Sequence, residues 1–149
     1  MKKISIIVPV YFNELNLDNL HEQLKIIIKK APFDYEIIFV DDGSEDNSYL
    51  KLLDLRKKDK KIKIIKLSKN YGSHVAILAG IGQATGDCMT AIAADLQDPP
   101  EIILEMYKKW EEGNKTILAV RKDREDPFLQ KFLSNSYYKL MRKYAVKNM

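Results

Sequence analysis

This sequence predicts an α/β fold built on a mostly parallel sheet, and three observations carry that expectation. First, β-branched apolar runs alternate with helix-spaced apolar residues along the chain. Second, each run ends in a polar cluster: Tyr11-Phe12-Asn13-Glu14, Asp41-Asp42-Gly43-Ser44, Ser68 to Gly72, Asp95 to Asp98 and Arg121 to Arg124. Third, Asp95-Leu96-Gln97-Asp98-Pro99-Pro100-Glu101 sets a polar loop between an apolar strand and a helix start. Asp98 reads as the N-cap, Pro99 as the first helical residue and Glu101 as the capping-box acid. In an open sheet of right-handed βαβ units, ligands bind beyond the carboxyl ends of the strands. Five polar clusters on that rim therefore predict a site.

The elements follow in order. Residues 4–10 are an apolar, β-branched strand, and residues 17–30 place Leu17, Leu20, Leu24, Ile27 and Ile28 at helical spacing. Residues 35–40 are a second strand, and residues 48–58 a helix with Leu50, Leu53 and Leu55. Residues 62–67 are a third strand whose alternating lysines predict a place near the sheet edge. A small-residue helix over 74–84, a strand over 88–94, a helix over 99–112 and a fifth strand over 116–120 come next. A last helix spans about 127–146 and carries Leu129, Phe132, Leu133, Tyr137, Leu140, Met141 and Tyr144 on one face. With lysines and arginines elsewhere and no acid from Pro127 onward, it fits either an anionic membrane surface or packing against other protein.

The 149 residues suffice for one α/β domain, and the expectation is a single domain over 1–149. A net charge of +4 and a pI of about 9.0 suit an anionic small molecule, a membrane surface or nucleic acid without choosing among them. Neither a glycine-aromatic RNA-binding signature nor zinc-finger spacing is present, which argues against nucleic acid. Cys88 is the single cysteine, so no intrachain disulfide framework exists, and its place in an apolar run reads as packing. No secretory leader precedes the first strand, and no run approaches the roughly 18 apolar residues of a membrane span. The expected location is cytoplasmic, peripheral at the inner face of a membrane.

Individual residues carry paired readings. Asp41 and Asp42 are costly side by side unless solvated, hydrogen-bonded or facing a cation. One of them can accept hydrogen bonds from a base or ribose; equally, Asp42-Gly43-Ser44 can be a turn and helix cap. Tyr11 can stack on a nucleobase, and Glu14 can hold a ribose or a neighbouring backbone. Ser73 fits an N-cap, and His74 at a helix start is structural more often than catalytic. Arg121, Lys122 and Arg124 can grip a diphosphate bidentately, or form a solvated loop neutralised by Asp123, Glu125 and Asp126.

Taken together, Ile6-Ile7-Val8-Pro9-Val10-Tyr11, Asn13-Glu14, Val40-Asp41-Asp42-Gly43-Ser44, Leu67 to Gly72, Ala79-Gly80, Ala84 to Asp87, Asp95 to Glu101 and Arg121 to Arg124 resemble family 2 glycosyltransferases of the GT-A fold. The Asp-Leu-Gln-Asp-Pro-Pro-Glu run is similar to the polyprenyl-phosphate branch, which includes dolichyl-phosphate mannose synthase and undecaprenyl-phosphate glycosyltransferases. The resemblance implies that Pro9, Tyr11, Glu14, Asp41, Asp42 and Ser44 form the nucleoside-binding set. It implies that Asp95 and Gln97 coordinate Mg²⁺ or Mn²⁺ against a UDP- or GDP-sugar, and that Arg121 and Arg124 sit near the phosphates with Asp95 as catalytic groups.

Two departures stand out. The family's metal motif commonly begins with an aspartate at what is here Ala93, so the ion is expected to depend on substrate oxygens. Family members also continue beyond the last helix, so this chain reads as an N-terminal portion without acceptor region or membrane helices. The implied reaction is inverting transfer of a hexosyl group to a polyprenyl phosphate in cell-envelope or glycan biosynthesis, with homo-oligomerisation open. The alternatives are a family 2 enzyme acting on a saccharide hydroxyl and an inactive nucleotide-binding module. A phosphoacceptor receiver domain is disfavoured, because its acidic pair follows the first strand and not the second.

Overall fold

The structure is a computed structural model that describes residues 1–120. Four strands alternate with four helices: β1 (Lys3–Val10), α1 (Leu17–Ile28), β2 (Asp34–Asp41), α2 (Ser48–Lys58), β3 (Ile62–Lys66), α3 (Ser73–Ile81), β4 (Cys88–Ala91) and α4 (Ile102–Glu111). The strands pair in the order β3-β2-β1-β4, all parallel, with Lys3 opposite Asp34, Ile37 opposite Ile62 and Ile4 opposite Cys88. β3 is an edge strand, as its lysines predict. The chain divides into two compact units, Met1–Ile117 and Leu118–Met149, and the sheet and its helices belong to the first.

Burial on both faces explains why β1 and β2 read as continuous apolar runs. Alternate side chains point to opposite faces, so two cores form. Ile4, Ile6, Val8, Ile37 and Phe39 meet Leu17, Leu20 and Leu24 of α1, Leu52 and Leu55 of α2, and Ile103 and Tyr107 of α4. Ile7, Ile38 and Val40 meet Ala76 of α3. Each large side chain buried this way contributes roughly 1.5–3 kcal/mol. Small residues let α3 approach: a Cβ on Gly80 would lie 2.5 Å from the Ile7 Cγ2 methyl. That methyl is attached directly to a strand Cβ and has little room to give. Gly80→Ala is therefore expected to destabilise the fold by about 1 kcal/mol in urea unfolding, overpacking outweighing the helix propensity that alanine brings. An unchanged midpoint would mean that α3 rides outward at no cost.

Several expected boundaries moved, each for a local reason. α2 begins and ends where expected, at Ser48 and Lys58. Ser44 is four residues ahead of it and caps nothing; Asp46 accepts the Ser48 N–H instead, at 3.0 Å. α3 stops at Ile81, because Gln83 and Ala84 N–H groups bond to Gly80 and Ile81 carbonyls in tight i→i+3 turns. α4 begins at Ile102 with Glu101 at the N-cap, so neither Asp98 nor Pro99 holds its expected helix position. The reason is Pro100, whose ring disfavours helical geometry at Pro99. Ile102 and Ile103 N–H groups bond back to Pro99 and Pro100 carbonyls in a turn that leads into the helix.

β4 forms its ladder only over Cys88–Ala91, with one further bond from Ile92 N–H to the Ile7 carbonyl. Beyond it the chain turns, so Ala93, Ala94 and Asp95 sit in loop geometry. The expected fifth strand over 116–120 is not formed: Leu118 and Val120 are exposed, and among the described residues β4 pairs with β1 alone. A strand without a ladder partner leaves its backbone groups to solvent. The expected helix over 127–146 lies outside the described residues.

A polar knot ties the amino ends of the strands, and the sequence reading missed it. Glu36 of β2 is buried, and its carboxylate accepts from Ser5 Oγ at 2.6 Å, Thr85 N–H at 2.6 Å and Lys3 Nζ at 3.0 Å. Lys63 Nζ of β3 lies 2.8 Å away. One carboxylate thus joins β1, β2, β3 and the turn before β4. Burial pushes its pKa up, but the bonds from Lys63, Ser5, Thr85 and Lys3 outweigh burial and hold it well below the usual carboxylate range. A second buried cluster joins α1 to the end of α2, where Asp59 accepts from Tyr35 OH at 3.2 Å and lies 3.4 Å from His21 Nε2.

Candidate nucleotide-binding site

A cavity of ≈ 280 Å³ opens at the carboxyl ends of β1, β2 and β4. Its walls are Pro9 and Val10 at the end of β1, Tyr11 and Asn13 after it, Asp42 after β2, Asn70 and Gly72 before α3, Ser73 at its start, and Ala93 to Asp95 after β4. A second groove of ≈ 330 Å³ runs past Gly43, Ser44 and Lys66 to Asn70, and shares Tyr11 and Asn70 with the first. Tyr11 thus forms a wall common to both spaces, and its exposed ring is open to a flat ligand from either.

The loops are stitched together by side chain to backbone bonds. Asp42 is buried and accepts from Tyr71 N–H and Gly72 N–H, each at 2.8 Å. A carboxylate with two backbone donors is a strong clamp, and it holds the Asn70–Gly72 segment against the end of β2. Gly72 sits at φ 93 and Gly43 at φ 72; a Cβ on Gly43 would come within 2.5 Å of the Lys69 carbonyl carbon. Phe12 N–H donates to Ser44 Oγ at 3.2 Å and Asn13 N–H to Ser48 Oγ at 3.0 Å. Asn47 N–H donates to Glu14 Oε2 at 2.7 Å, which places a carboxylate at the start of α2 where the helix field favours it.

Two non-glycine residues, Phe12 at φ 54 and Leu96 at φ 62, adopt left-handed geometry, and they flank the cavity. Each costs roughly 1–2 kcal/mol. At Leu96 the benefit is visible: the turn packs Leu96 against the main core while Asp95 stays on the cavity wall. Gln97 N–H donates to Asp95 Oδ1 at 3.1 Å, closing a small Asx turn.

The structure gathers Pro9, Tyr11, Asp42 and Asp95 around one cavity. Ser44 lines the neighbouring groove, and Glu14 is engaged with the Asn47 backbone. Asp41 is fully buried beneath the rim; one oxygen accepts the Ser44 N–H at 3.3 Å and the other, Oδ2, has no hydrogen-bond partner among the described residues. Gln97 is exposed and is not part of the cavity wall. His74 is exposed at the start of α3. Arg121 and Arg124 lie outside the described residues. Asn13, Asn70 and Ser73 are wall residues that the sequence did not assign to the site: the first two stood only inside the rim clusters and the motifs of the resemblance, and Ser73 only as an N-cap candidate.

For a divalent ion the donor set is thin. Among the described residues no group of three His, Cys, Asp or Glu side chains converges. Asp95 faces the cavity, Gln97 is two residues on, and Ala93 puts a methyl group on the same wall. That set fits an octahedral ion which draws most of its ligands from phosphate and water, as Mg²⁺ often does, and not a dedicated protein cage.

Comparison with known proteins agrees with this architecture. Among solved structures, Staphylococcus aureus TarS superposes with a TM-score of 0.60 at 22% identity, over 85% of this chain and 23% of that one. The mannosyltransferase PcManGT from Pyrobaculum calidifontis, solved with GDP-Man and Mn²⁺, gives 0.60 at 19% identity over 95% of this chain and 39% of that one. At those identities the likeness shows the fold, which is GT-A. Two sequence relatives are nearer: an uncharacterized glycosyltransferase of Bacillus subtilis, YkcC, is 42% identical over 138 residues. The Synechocystis protein sll0501, also an uncharacterized glycosyltransferase, is 39% identical over 140 residues. The alignments cover 92% and 93% of this chain but only 43% and 44% of those relatives. The glycosyl transferase family 2 model matches residues 5–148, so the chain belongs to glycosyl transferase family 2.

Proposed function

We propose that this domain binds a nucleotide-diphospho-sugar in the rim cavity and serves the inverting transfer of its hexosyl group to a polyprenyl phosphate. The observation that carries the reading is the convergence of Tyr11, Asp42, the clamped Asn70–Gly72 loop and Asp95 on one cavity in a family 2 chain. Solved neighbours that bind UDP, UDP-GlcNAc and GDP-Man support the donor class. The Asp95-Leu96-Gln97-Asp98-Pro99-Pro100-Glu101 run supports the acceptor.

In this reading Tyr11 stacks on the base and Asp41 and Asp42 shape the pocket beneath it. Asp42 acts by holding the loop that bounds the cavity. Glu14 and Ser44 brace the two rim loops against each other, and Asp95 faces the diphosphate from the cavity wall, with Gln97 two residues on outside that wall. A divalent ion held there with the donor phosphates supplies charge neutralisation for the departing diphosphate. Arg121 and Arg124 serve the same charge by the family resemblance. A phosphate acceptor is already ionised at neutral pH, so the chemistry requires no histidine base, and His74 has no part in it. Membrane attachment through residues 127–146 belongs to the same proposal.

Incubation with radiolabelled UDP- or GDP-sugars and polyprenyl phosphate tests the reading. Label extracted into the lipid phase is the expected result. Label in soluble saccharide alone assigns a hydroxyl acceptor, and nucleotide binding without turnover assigns a binding module. Asp95→Ala is expected to lower Mn²⁺-dependent nucleoside diphosphate affinity at least about tenfold in calorimetry. Equal affinity in the variant would remove Asp95 from the metal corner.

A further inference from the structure

Phe12 stands at φ 54, a left-handed geometry that is costly for a bulky side chain and that glycine or asparagine adopts with less strain. Burial does not offset the cost, since the side chain is 49% exposed and belongs to neither core. Nor does its ring line the rim cavity or the neighbouring groove. The Phe12 N–H bonds to Ser44 Oγ, but any residue except proline supplies that donor. An aromatic ring at this strained position therefore calls for another cause.

The ring meets Tyr11. Their centroids are 4.5 Å apart and their planes cross at 83°, the edge-to-face arrangement that the aromatic quadrupole favours. In an extended chain, successive side chains point to opposite sides. The rings of residues 11 and 12 come together because the backbone leaves β1 in a left-handed turn at Phe12. That turn is tied on both sides: the Tyr11 N–H donates to Asn13 Oδ1 at 2.9 Å, and the Asn13 N–H donates to Ser48 Oγ.

Tyr11 is the side chain that gains from this. It is 45% exposed and forms a wall of both the rim cavity and the groove beside it. An exposed ring without a neighbour samples several rotamers, and a ligand that stacks on it must first order it. A crossed pair of rings covers at most one face of Tyr11, which leaves the other free for a flat ligand.

We propose that Phe12 is a positioning residue whose ring holds Tyr11 in the orientation on which a nucleobase stacks. The left-handed turn is the means of bringing the two rings together, so local strain is exchanged for a preset binding wall. The inference rests on the nucleotide reading above and adds to it a residue that lines neither space.

The test uses the 149-residue chain, with UDP and GDP as probes in the presence of Mn²⁺. Phe12→Asn keeps a residue that accepts left-handed geometry and removes the ring; Phe12→Tyr keeps the ring. In NMR spectra of the tyrosine-labelled chain, the Tyr11 signal is identified by its loss in Tyr11→Leu. Phe12→Asn is expected to move the Tyr11 ring protons toward free-tyrosine values, because the ring current of Phe12 is gone. It is also expected to weaken nucleotide binding about fivefold in calorimetry while the thermal midpoint holds. Phe12→Tyr is expected to keep the parent's binding and midpoint. The proposal is overturned if Phe12→Asn binds like the parent, if the Tyr11 signals do not move, or if Phe12→Tyr binds as weakly as Phe12→Asn. An affinity that falls only together with the midpoint makes Phe12 a structural residue and overturns it as well. Failure of the nucleotide reading looks different: the parent itself binds neither UDP nor GDP, and the positioning role falls with it.

Discussion

Glu36→Ala is expected to lower the unfolding free energy by about 2–3 kcal/mol, the cost of taking the charged acceptor from the buried Ser5 hydroxyl and the Thr85 N–H. The residue unites Ser5 of β1, Lys63 of β3 and Thr85 before β4, so its loss loosens three strands at once. Lys3 and Lys63 are partly exposed and regain water, but Ser5 Oγ and the Thr85 N–H lose a buried acceptor. The pH dependence follows from the depressed folded pKa. An unfolded glutamate titrates near ~4.3, so the stabilisation is fully present above that value and is lost as pH falls toward the lower folded value. Urea unfolding at neutral pH and near pH 3 checks both points. The parent is expected to lose more stability between the two than Glu36→Gln, which keeps the shape without the charge. Equal losses would mean that other carboxylates dominate acid unfolding.

Asp42→Ala carries the second large effect, on the site. It removes two charge-assisted bonds that hold Tyr71 and Gly72, at roughly 1.5–3 kcal/mol each. The expected outcome is a stability loss of about 3 kcal/mol and at least a tenfold loss of nucleoside diphosphate affinity by calorimetry at a temperature where the variant stays folded. Asp42→Asn is expected to fall between, since one amide offers a single acceptor oxygen to two donors. A wild-type midpoint in Asp42→Ala would show that the loop is held by its other bond, Gly72 N–H to Asn70 Oδ1 at 2.9 Å.

The two residues show where sequence reasoning reaches and where it stops. The acidic pair at the end of β2 was legible as a site because two adjacent carboxylates need a partner. Its division of labour was not: Asp41 lies beneath the rim and Asp42 clamps a loop that begins some thirty positions further on. Glu36 gave no signal at all, because a lone glutamate in a strand reads as solvent-facing until Ser5, Lys63 and Thr85 are seen to converge on it. The acidic N-cap expected at Asp98 failed for a reason present in the sequence, the second proline, whose steric effect outweighed the capping pattern.

What the sequence by itself determined is the alternation of elements up to α4, the parallel sheet with β3 at its edge, and the rim on which four of the five polar clusters fall. Those follow from local periodicity and from the handedness of βαβ crossovers, which need no long-range information. The tertiary structure decided which rim residues share a cavity, which serve as braces between loops, and that residues 116–120 take no part in the described sheet. It also left α3 with an apolar outer face. These outcomes depend on contacts between segments far apart in sequence, and side-chain bonds to distant backbone leave no periodic trace along the chain.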